Sequence, residues 1–485
     1  MMEQRNLVMD YYEMTMAYAY YRENRHNDIA YFDMYFRKNP DNGGYSIFGG
    51  LDALMDYVEN FRFSESDLDF LRGKGDFDDE FLDYLRDFRF RGDVSCVPDG
   101  TVVFPGEPLV TVRGTLLEAQ LLETKLLLIV NFASLISTKA NRIVNAALGR
   151  SILEFGTRRA QGETAAIEGA KYAYMAGCDG TACIETEKQY GVRSVGTMAH
   201  SFVESFPSEY DAYLAYARTF PDKSIFLVDT YDTLNSGVPN AIRVAKEYLE
   251  PNGHRLQGVR LDSGDLAYLS IRARRMLDEA GLTDCKIVAS SSLDEYLIRD
   301  LISQGARIDT FGVGEKLITS QSDPIFGGVY KLVALERDGE IVPKIKLSEN
   351  TGKITNPSYK KAYRFYDRST GFALGDVVAL HDETIDREQY TLIDPNEEWK
   401  TTTIENYRVE ELQQPIFKDG KRIYEQLSLE ERRAYCKAQV GTLYQEITRL
   451  RNPHTYYVDL SMPLLTLRKK LLREHKEKLG KKKGR

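Results

Sequence analysis

Of six histidines in 485 residues, His200 alone stands in a turn built for chemistry, Gly196-Thr197-Met198-Ala199-His200-Ser201-Phe202. The turn follows a short strand-like stretch, residues 193–195, and its small or hydroxylic residues leave an imidazole free to stand at a strand end. α/β enzymes keep their reactive groups there, and imidazole is the side chain best suited to proton or group transfer near neutral pH. Four further turns have the same grammar. They are Phe155-Gly156-Thr157-Arg158-Arg159 after residues 151–154, Asp229-Thr230-Tyr231-Asp232 after 225–228, Leu261-Asp262-Ser263-Gly264-Asp265 after 256–260, and Phe311-Gly312-Val313-Gly314-Glu315-Lys316 after 307–310. Ser290-Ser291-Ser292 follows residues 286–289 in the same way.

These turns carry the groups that anionic substrates need. Gly312, Gly314, Ser291 and Ser292 offer backbone N–H groups where helices open, an arrangement that suits phosphate. Arg158, Arg159, Arg193 and Arg260 fall at or beside strand ends, and guanidinium binds phosphate or carboxylate through paired hydrogen bonds. Carboxylates at Asp229, Asp262 and Asp265 can bind hydroxyls, hold Mg²⁺ or orient the imidazole, while Asp265 is equally well placed to cap the helix that follows it.

The repeated order of apolar run, polar turn and helix predicts parallel strands, and therefore an α/β fold. Seven strand candidates begin near Ile152, Thr181, Arg193, Ile225, Leu256, Lys286 and Ile308, each except the second followed by enough residues for a helix. Seven parallel strands suit an irregular, incomplete α/β barrel, though spacing alone leaves an open doubly wound sheet in play. Three segments result: 1–134, 135–340 and 341–485. The first reads as α+β, with helices over 9–21 and 51–61 and short antiparallel strands between 97 and 113. Those hairpins have no lysine at the tip, which sets aside a biotinyl or lipoyl carrier. Helical residues 116–148 lead into the strand repeats. The third segment has strands near 363–366, 377–380 and 390–393 and helices over 427–451 and 462–479. Ten lysines and arginines after residue 467 read as a solvated end.

The five turns, in this order, resemble the nicotinate phosphoribosyltransferase family. So do Met9-Asp10-Tyr11-Tyr12-Glu13-Met14-Thr15-Met16-Ala17-Tyr18 and Lys346-Leu347-Ser348-Glu349-Asn350. The resemblance implies an irregular, incomplete parallel α/β barrel, with the third segment packed on the first as one α+β domain. It also implies transfer of phosphoribosyl from phosphoribosyl pyrophosphate to nicotinate, with ATP as co-substrate and Mg²⁺ as cofactor. His200 is then the histidine transiently phosphorylated by ATP, Asp229 its orienting partner, and Asp262 a catalytic carboxylate that holds Mg²⁺ directly or through water. Arg158 and Arg260 clamp pyrophosphate or carboxylate. Ser291, Ser292, Gly312 and Gly314 take the 5′-phosphate, and Thr157, Gly196 and Ser201 complete the substrate site. Phe155 and Tyr12 sandwich the pyridine ring, Tyr12 reaching in from the second subunit of a homodimer. The related nicotinamide-specific enzyme carries an aspartate where this chain has Ala182, so the acid is the expected substrate. Quinolinate phosphoribosyltransferase needs no phosphorylated histidine, and a non-catalytic nucleotide-binding protein would be expected to lose some of His200, Arg260 and Asp262.

Composition narrows the partners. A net charge of −9 argues against nucleic acid, whose phosphates demand basic faces. Five cysteines lack the spacing of a zinc site or a disulfide framework, so reduced thiols in a cytoplasmic protein are expected. The amino terminus shows no apolar leader. Residues 126–133, the most apolar stretch, are too few to span a bilayer and read as part of a core helix.

Overall fold

The computed structural model describes residues 5–348, 354–395 and 397–483, with side chains described as far as residue 477. Two compact units divide the chain, one of Met1–Leu135 with Ile325–Arg485 and one of Ile136–Pro324.

The second unit holds a six-stranded parallel sheet. Its strands are β1 (Ser151–Glu154), β2 (Gly180–Thr181), β3 (Ile225–Leu227), β4 (Gly258–Leu261), β5 (Lys286–Ala289) and β6 (Thr310–Val313), in the spatial order β2-β1-β6-β5-β4-β3. Every pair is parallel, as the strand, turn and helix repeat requires. Ile152, Phe226, Val259, Ile287 and Phe311 are fully buried in the sheet, which explains why these short strands read as apolar runs. The strand expected near Arg193 shrinks to a single bridge between Ser194 and Thr181, because Gly191 and Gly196 bound it closely. No pairing among the described residues joins this edge to β3, so the parallel sheet is established without a closed ring. The link after β2, expected to be too short for a helix, accommodates Ile184–Tyr190, ended by Gly191 in the left-handed region at φ 73°.

Helices between the strands start where the sequence offers caps. The carboxylate of Asp265 accepts the Tyr268 N–H at 3.0 Å to open Leu266–Glu279, and that of Asp294 accepts the Leu297 N–H at 2.8 Å to open Glu295–Ser303. Asp265 is thus a helix cap.

In the first unit a seven-stranded sheet runs in the order Glu340–Pro343, Gly328–Arg337, Ile29–Phe36, Val110–Thr115, Asp93–Cys96, Gln414–Lys418 and Lys421–Arg422. The sheet mixes strands from both ends of the chain. Gly328–Arg337, assigned from sequence to the segment ending at 340, pairs antiparallel with Ile29–Phe36 instead. Val102–Val103 pairs with Ser46–Ile47 rather than folding back on Val110–Thr115, so the expected hairpin does not form. A second sheet contains Lys360–Asp367 and Ala373–Leu380. The helix expected over 427–451 covers only Leu429–Gly441, whereas the one expected over 462–479 forms and runs from Met462 to Lys483. Within the family-like stretch 346–350, Glu349 and Asn350 lie outside the described residues.

The helix read over 116–148 forms, and its apolar character extends beyond residues 126–133. Leu116–Ala146 has a mean hydropathy of 1.5 in its most apolar window, which by length and composition could cross a membrane, although 56% of that window is buried in the protein. Burial also reaches its charges. Lys139 and Arg142 on this run meet the buried carboxylate of Glu295 at 2.8 and 3.2 Å, a pairing suited to a protein core.

Candidate active site

Because the six strands are parallel, the turns after them gather at one rim. A cavity of about 520 Å³ opens there, within the second unit. It is lined by Phe155, Arg158, Gly196, His200, Arg260, Asp262, Ser291, Ser292, Gly312 and Gly314, all chosen from sequence, together with Arg159, Ala182, Ser290 and Glu315.

Arg260 organises the centre. Its Nε donates to Ser290 Oγ at 3.0 Å and its Nη1 to Thr197 Oγ1 at 3.1 Å, while Nη2 lies 3.2 Å from Asp262 Oδ1. The Ser290 hydroxyl donates to the same Asp262 oxygen. A guanidinium held at three points is preorganised to meet an anion at its remaining donors. It also lies over the Phe155 ring, 5.8 Å from the centroid.

Phe155 follows β1, and its ring lies against Gly312 on the neighbouring strand. A Cβ added at Gly312 would come within 2.5 Å of the ring, so only glycine lets the aromatic face settle there. Ser291 and Ser292 turn the chain around the cavity with φ values of 101° and 44°. Non-glycine residues in such conformations cost roughly 1–3 kcal/mol each and persist where surrounding structure or function holds them.

His200 begins the short helix His200–Glu204. Its Nδ1 lies 3.1 Å from Thr230 Oγ1, and its Nε2 lies 3.9 Å from Asp262 Oδ2. The expected partner, Asp229, is not the residue in contact. Asp229 Oδ2 instead accepts the Asp262 N–H at 2.9 Å and the Ser263 hydroxyl at 2.6 Å, bracing the loop that carries Asp262, and its Oδ1 is buried without a partner among the described residues. Thr230 faces the imidazole, whereas Asp229 turns to the next loop.

Other residues named from sequence fall outside the cavity. The Thr157 hydroxyl is buried without a partner among the described residues, and Ser201 is exposed on the first turn of its helix. Tyr12 belongs to the first unit, on the helix Tyr11–Arg22, with its side chain 44% exposed. Partial burial and then the Glu123 carboxylate hold its phenol above the ordinary range. No group of three or more histidine, cysteine, aspartate or glutamate side chains gathers as a metal site among the described residues. All five cysteines are buried and none is in a disulfide.

Thr230 and Ser290 were legible in the turns, yet their contacts were not. Both are hydroxyls one step from a chosen residue, and only the fold decides which of two neighbours faces inward.

Comparisons with known proteins agree along most of the chain. Residues 7–131 match the nicotinate phosphoribosyltransferase N-terminal domain, and residues 359–468 match its C-terminal domain. A nicotinate phosphoribosyltransferase of Bacillus subtilis (strain 168) is 42% identical over 459 residues, covering 94% of this chain and 93% of its own. The Homo sapiens nicotinate phosphoribosyltransferase is 33% identical over 521 residues, covering 96% of both chains. The crystal structure of human nicotinic acid phosphoribosyltransferase aligns with a TM-score of 0.85 at 32% identity, over 96% of this chain and all of that one (100%). A nicotinate-nucleotide pyrophosphorylase from Pyrococcus furiosus, at 22% identity and a TM-score of 0.69, shares the fold over 91% of this chain and 97% of its own. The similarity covers both units and the rim on which His200, Arg260 and Asp262 converge, and the chain belongs to the nicotinate phosphoribosyltransferase family.

Proposed function

We propose that this enzyme transfers phosphoribosyl from phosphoribosyl pyrophosphate to the ring nitrogen of nicotinate, giving nicotinate mononucleotide and pyrophosphate in NAD salvage, and that ATP drives the transfer through a phosphorylated His200. The carrying observation is the convergence of an imidazole, a preorganised guanidinium and a carboxylate on one rim, beside turns whose backbone suits phosphate.

Each group has a task. Pyrophosphate leaves the anomeric carbon as positive charge builds on the sugar, so the site must grip two anionic ends and steady a cationic centre. Ser291, Ser292, Gly312 and Gly314 hold the 5′-phosphate through backbone N–H groups. Arg260, with Arg158 at the more exposed edge, holds the pyrophosphate or the nicotinate carboxylate. Phe155 gives the pyridine ring a flat face. Mg²⁺ fits Asp262, since that ion is commonly held by one or two carboxylates with substrate phosphates, and when bound it would offset the charge of the leaving pyrophosphate. When Nδ1 of His200 donates to Thr230, Nε2 keeps the lone pair needed to accept a phosphoryl group from ATP. Homodimers with shared sites, completed by Tyr12 of the second subunit, belong to the same reading, as does a cytoplasmic location.

Ala182 on the cavity wall carries no charge to repel a carboxylate, which favours nicotinate over nicotinamide. A product assay with phosphoribosyl pyrophosphate and either base, with and without ATP, tests substrate and coupling together. Nicotinate mononucleotide should form and rise with ATP; formation of the nicotinamide product alone, or of neither, overturns the proposal.

The aromatic wall gives a second expectation. Gly312→Ala forces the Phe155 ring off its bed and should raise the KM for nicotinate about tenfold, or about 1.4 kcal/mol. An unchanged KM in steady-state kinetics would show that the ring does not touch the base.

A further inference from the structure

Glu154, the last residue of β1, is fully buried directly behind the aromatic wall of the cavity. One carboxylate oxygen, Oε1, accepts the Gly156 N–H, and the other, Oε2, accepts the Thr181 hydroxyl at 2.7 Å. Thr181 Oγ1 also receives the Cys183 N–H at 3.0 Å, which leaves the hydroxyl proton for Glu154 when that carboxylate is ionised and can only accept. The Glu154 carbonyl also accepts the Ala182 N–H at 2.8 Å. One residue therefore grips both the turn that presents Phe155 and the strand end that presents Ala182.

The turn has no slack to compensate for a lost grip. A Cβ at Gly156 would meet Ile318 at 2.6 Å and Glu154 Oε1 at 2.7 Å, and the Phe155 N–H is already held by the Val313 carbonyl at 2.7 Å. A buried carboxylate facing two neutral donors costs free energy that an apolar residue would avoid, so its presence calls for a role beyond packing.

We propose that Glu154 is a positioning residue for nicotinate: its carboxylate ties the Phe155-Gly156 turn to the Thr181-Ala182 edge and sets the spacing of the wall against which the base binds. This rests on the proposed nicotinate activity.

The tie depends on protonation. Burial pushes the Glu154 carboxyl up to about 7, against the pull of the hydrogen bonds from Thr181 and Gly156. Charged groups on neighbouring elements are engaged elsewhere: Arg159 with Glu315, Lys316 with Asp294 and Lys171 with Glu168, while Arg158 is exposed. Because the pKa is raised, the proton returns as pH falls through about 7, and protonation replaces two charge-assisted hydrogen bonds with weaker neutral ones.

Steady-state kinetics of Glu154→Gln, Thr181→Val and Thr181→Ser, from about pH 6 to about pH 8.5, test the assignment. At the alkaline end, Gln should raise the KM for nicotinate about tenfold while the KM for phosphoribosyl pyrophosphate stays within about twofold. The wild type should show its nicotinate KM rising as pH falls through about 7, and the Gln variant should lack that limb. Thr181→Val should follow Gln, and Thr181→Ser, which keeps the hydroxyl, should behave as wild type. A folded Gln or Val variant with an unchanged nicotinate KM and the same pH limb overturns the inference, as does an equal rise in both KM values. If wild-type protein forms no nicotinate mononucleotide, it is the activity itself that fails.

Discussion

His200→Ala protein is expected to fold normally and to lose ATP hydrolysis coupled to nicotinate mononucleotide formation, by about 10³-fold or more, the scale of deleting a nucleophile. The fold should survive because the side chain is 41% exposed and its hydrogen-bond partner, Thr230, is itself only partly buried. Truncation then strands no fully buried group. The chemistry should not survive, because no other histidine lines the cavity. Asp262, 3.9 Å from Nε2, and Arg260 would still bind phosphoribosyl pyrophosphate, so a slow, ATP-independent transfer should remain. The measurement is ADP formed per mononucleotide, with acid-labile phosphate on the wild-type protein as a second readout. A purified His200→Ala enzyme that still yields one ADP per mononucleotide would remove His200 from the coupling step.

Much of this site was visible in the chain because parallel strands impose a rule. Whatever follows each strand must arrive at the same rim, so five polar turns after five apolar runs already imply that Phe155, His200, Arg260, Asp262 and Gly312 are neighbours. The rule does not say which way a side chain points. Asp229 and Thr230 are adjacent, both suit a histidine partner, and only coordinates show that the hydroxyl took the imidazole while the carboxylate took the Asp262 loop.

Other features were hidden because long-range pairing creates them. Ile29–Phe36 has no strand-like alternation, since it lies mid-sheet with almost every residue buried, including Asp33, whose charge is met by Lys360 more than three hundred residues away. Residues 116–148 read as helical, yet nothing local reveals that Lys139 and Arg142 on that helix will share the one buried carboxylate of Glu295. Glu154 looked like an ordinary strand end. Its raised pKa arises from burial, which a single sequence does not display. Strand repeats are local and therefore readable, whereas buried charges are compensated from afar.

The shared-site reading makes the other large prediction. Tyr12→Ala and Arg158→Ala each remove one half of a site that two subunits would build together, and each pure variant should lose about 10²-fold in activity. Neither change threatens folding. The Tyr12 side chain is 44% exposed, and its helix stays anchored by the neighbouring Glu13 carboxylate, which accepts the Thr124 N–H at 3.0 Å. Arg158 is exposed on its turn and forms no ion pair among the described residues. In a heterodimer of the two variants, one site carries both lesions and the other carries none. Mixing equal amounts through co-expression should make about half of all dimers heterodimeric, so total activity should return to about a quarter of wild type. Purifying the heterodimer with two different tags should raise that to about half. If Tyr12 served its own subunit's site instead, every site in the heterodimer would carry one lesion and nothing would be regained. Verified heterodimers no more active than either parent would therefore assign Tyr12 to its own chain and dissolve the requirement for a dimer.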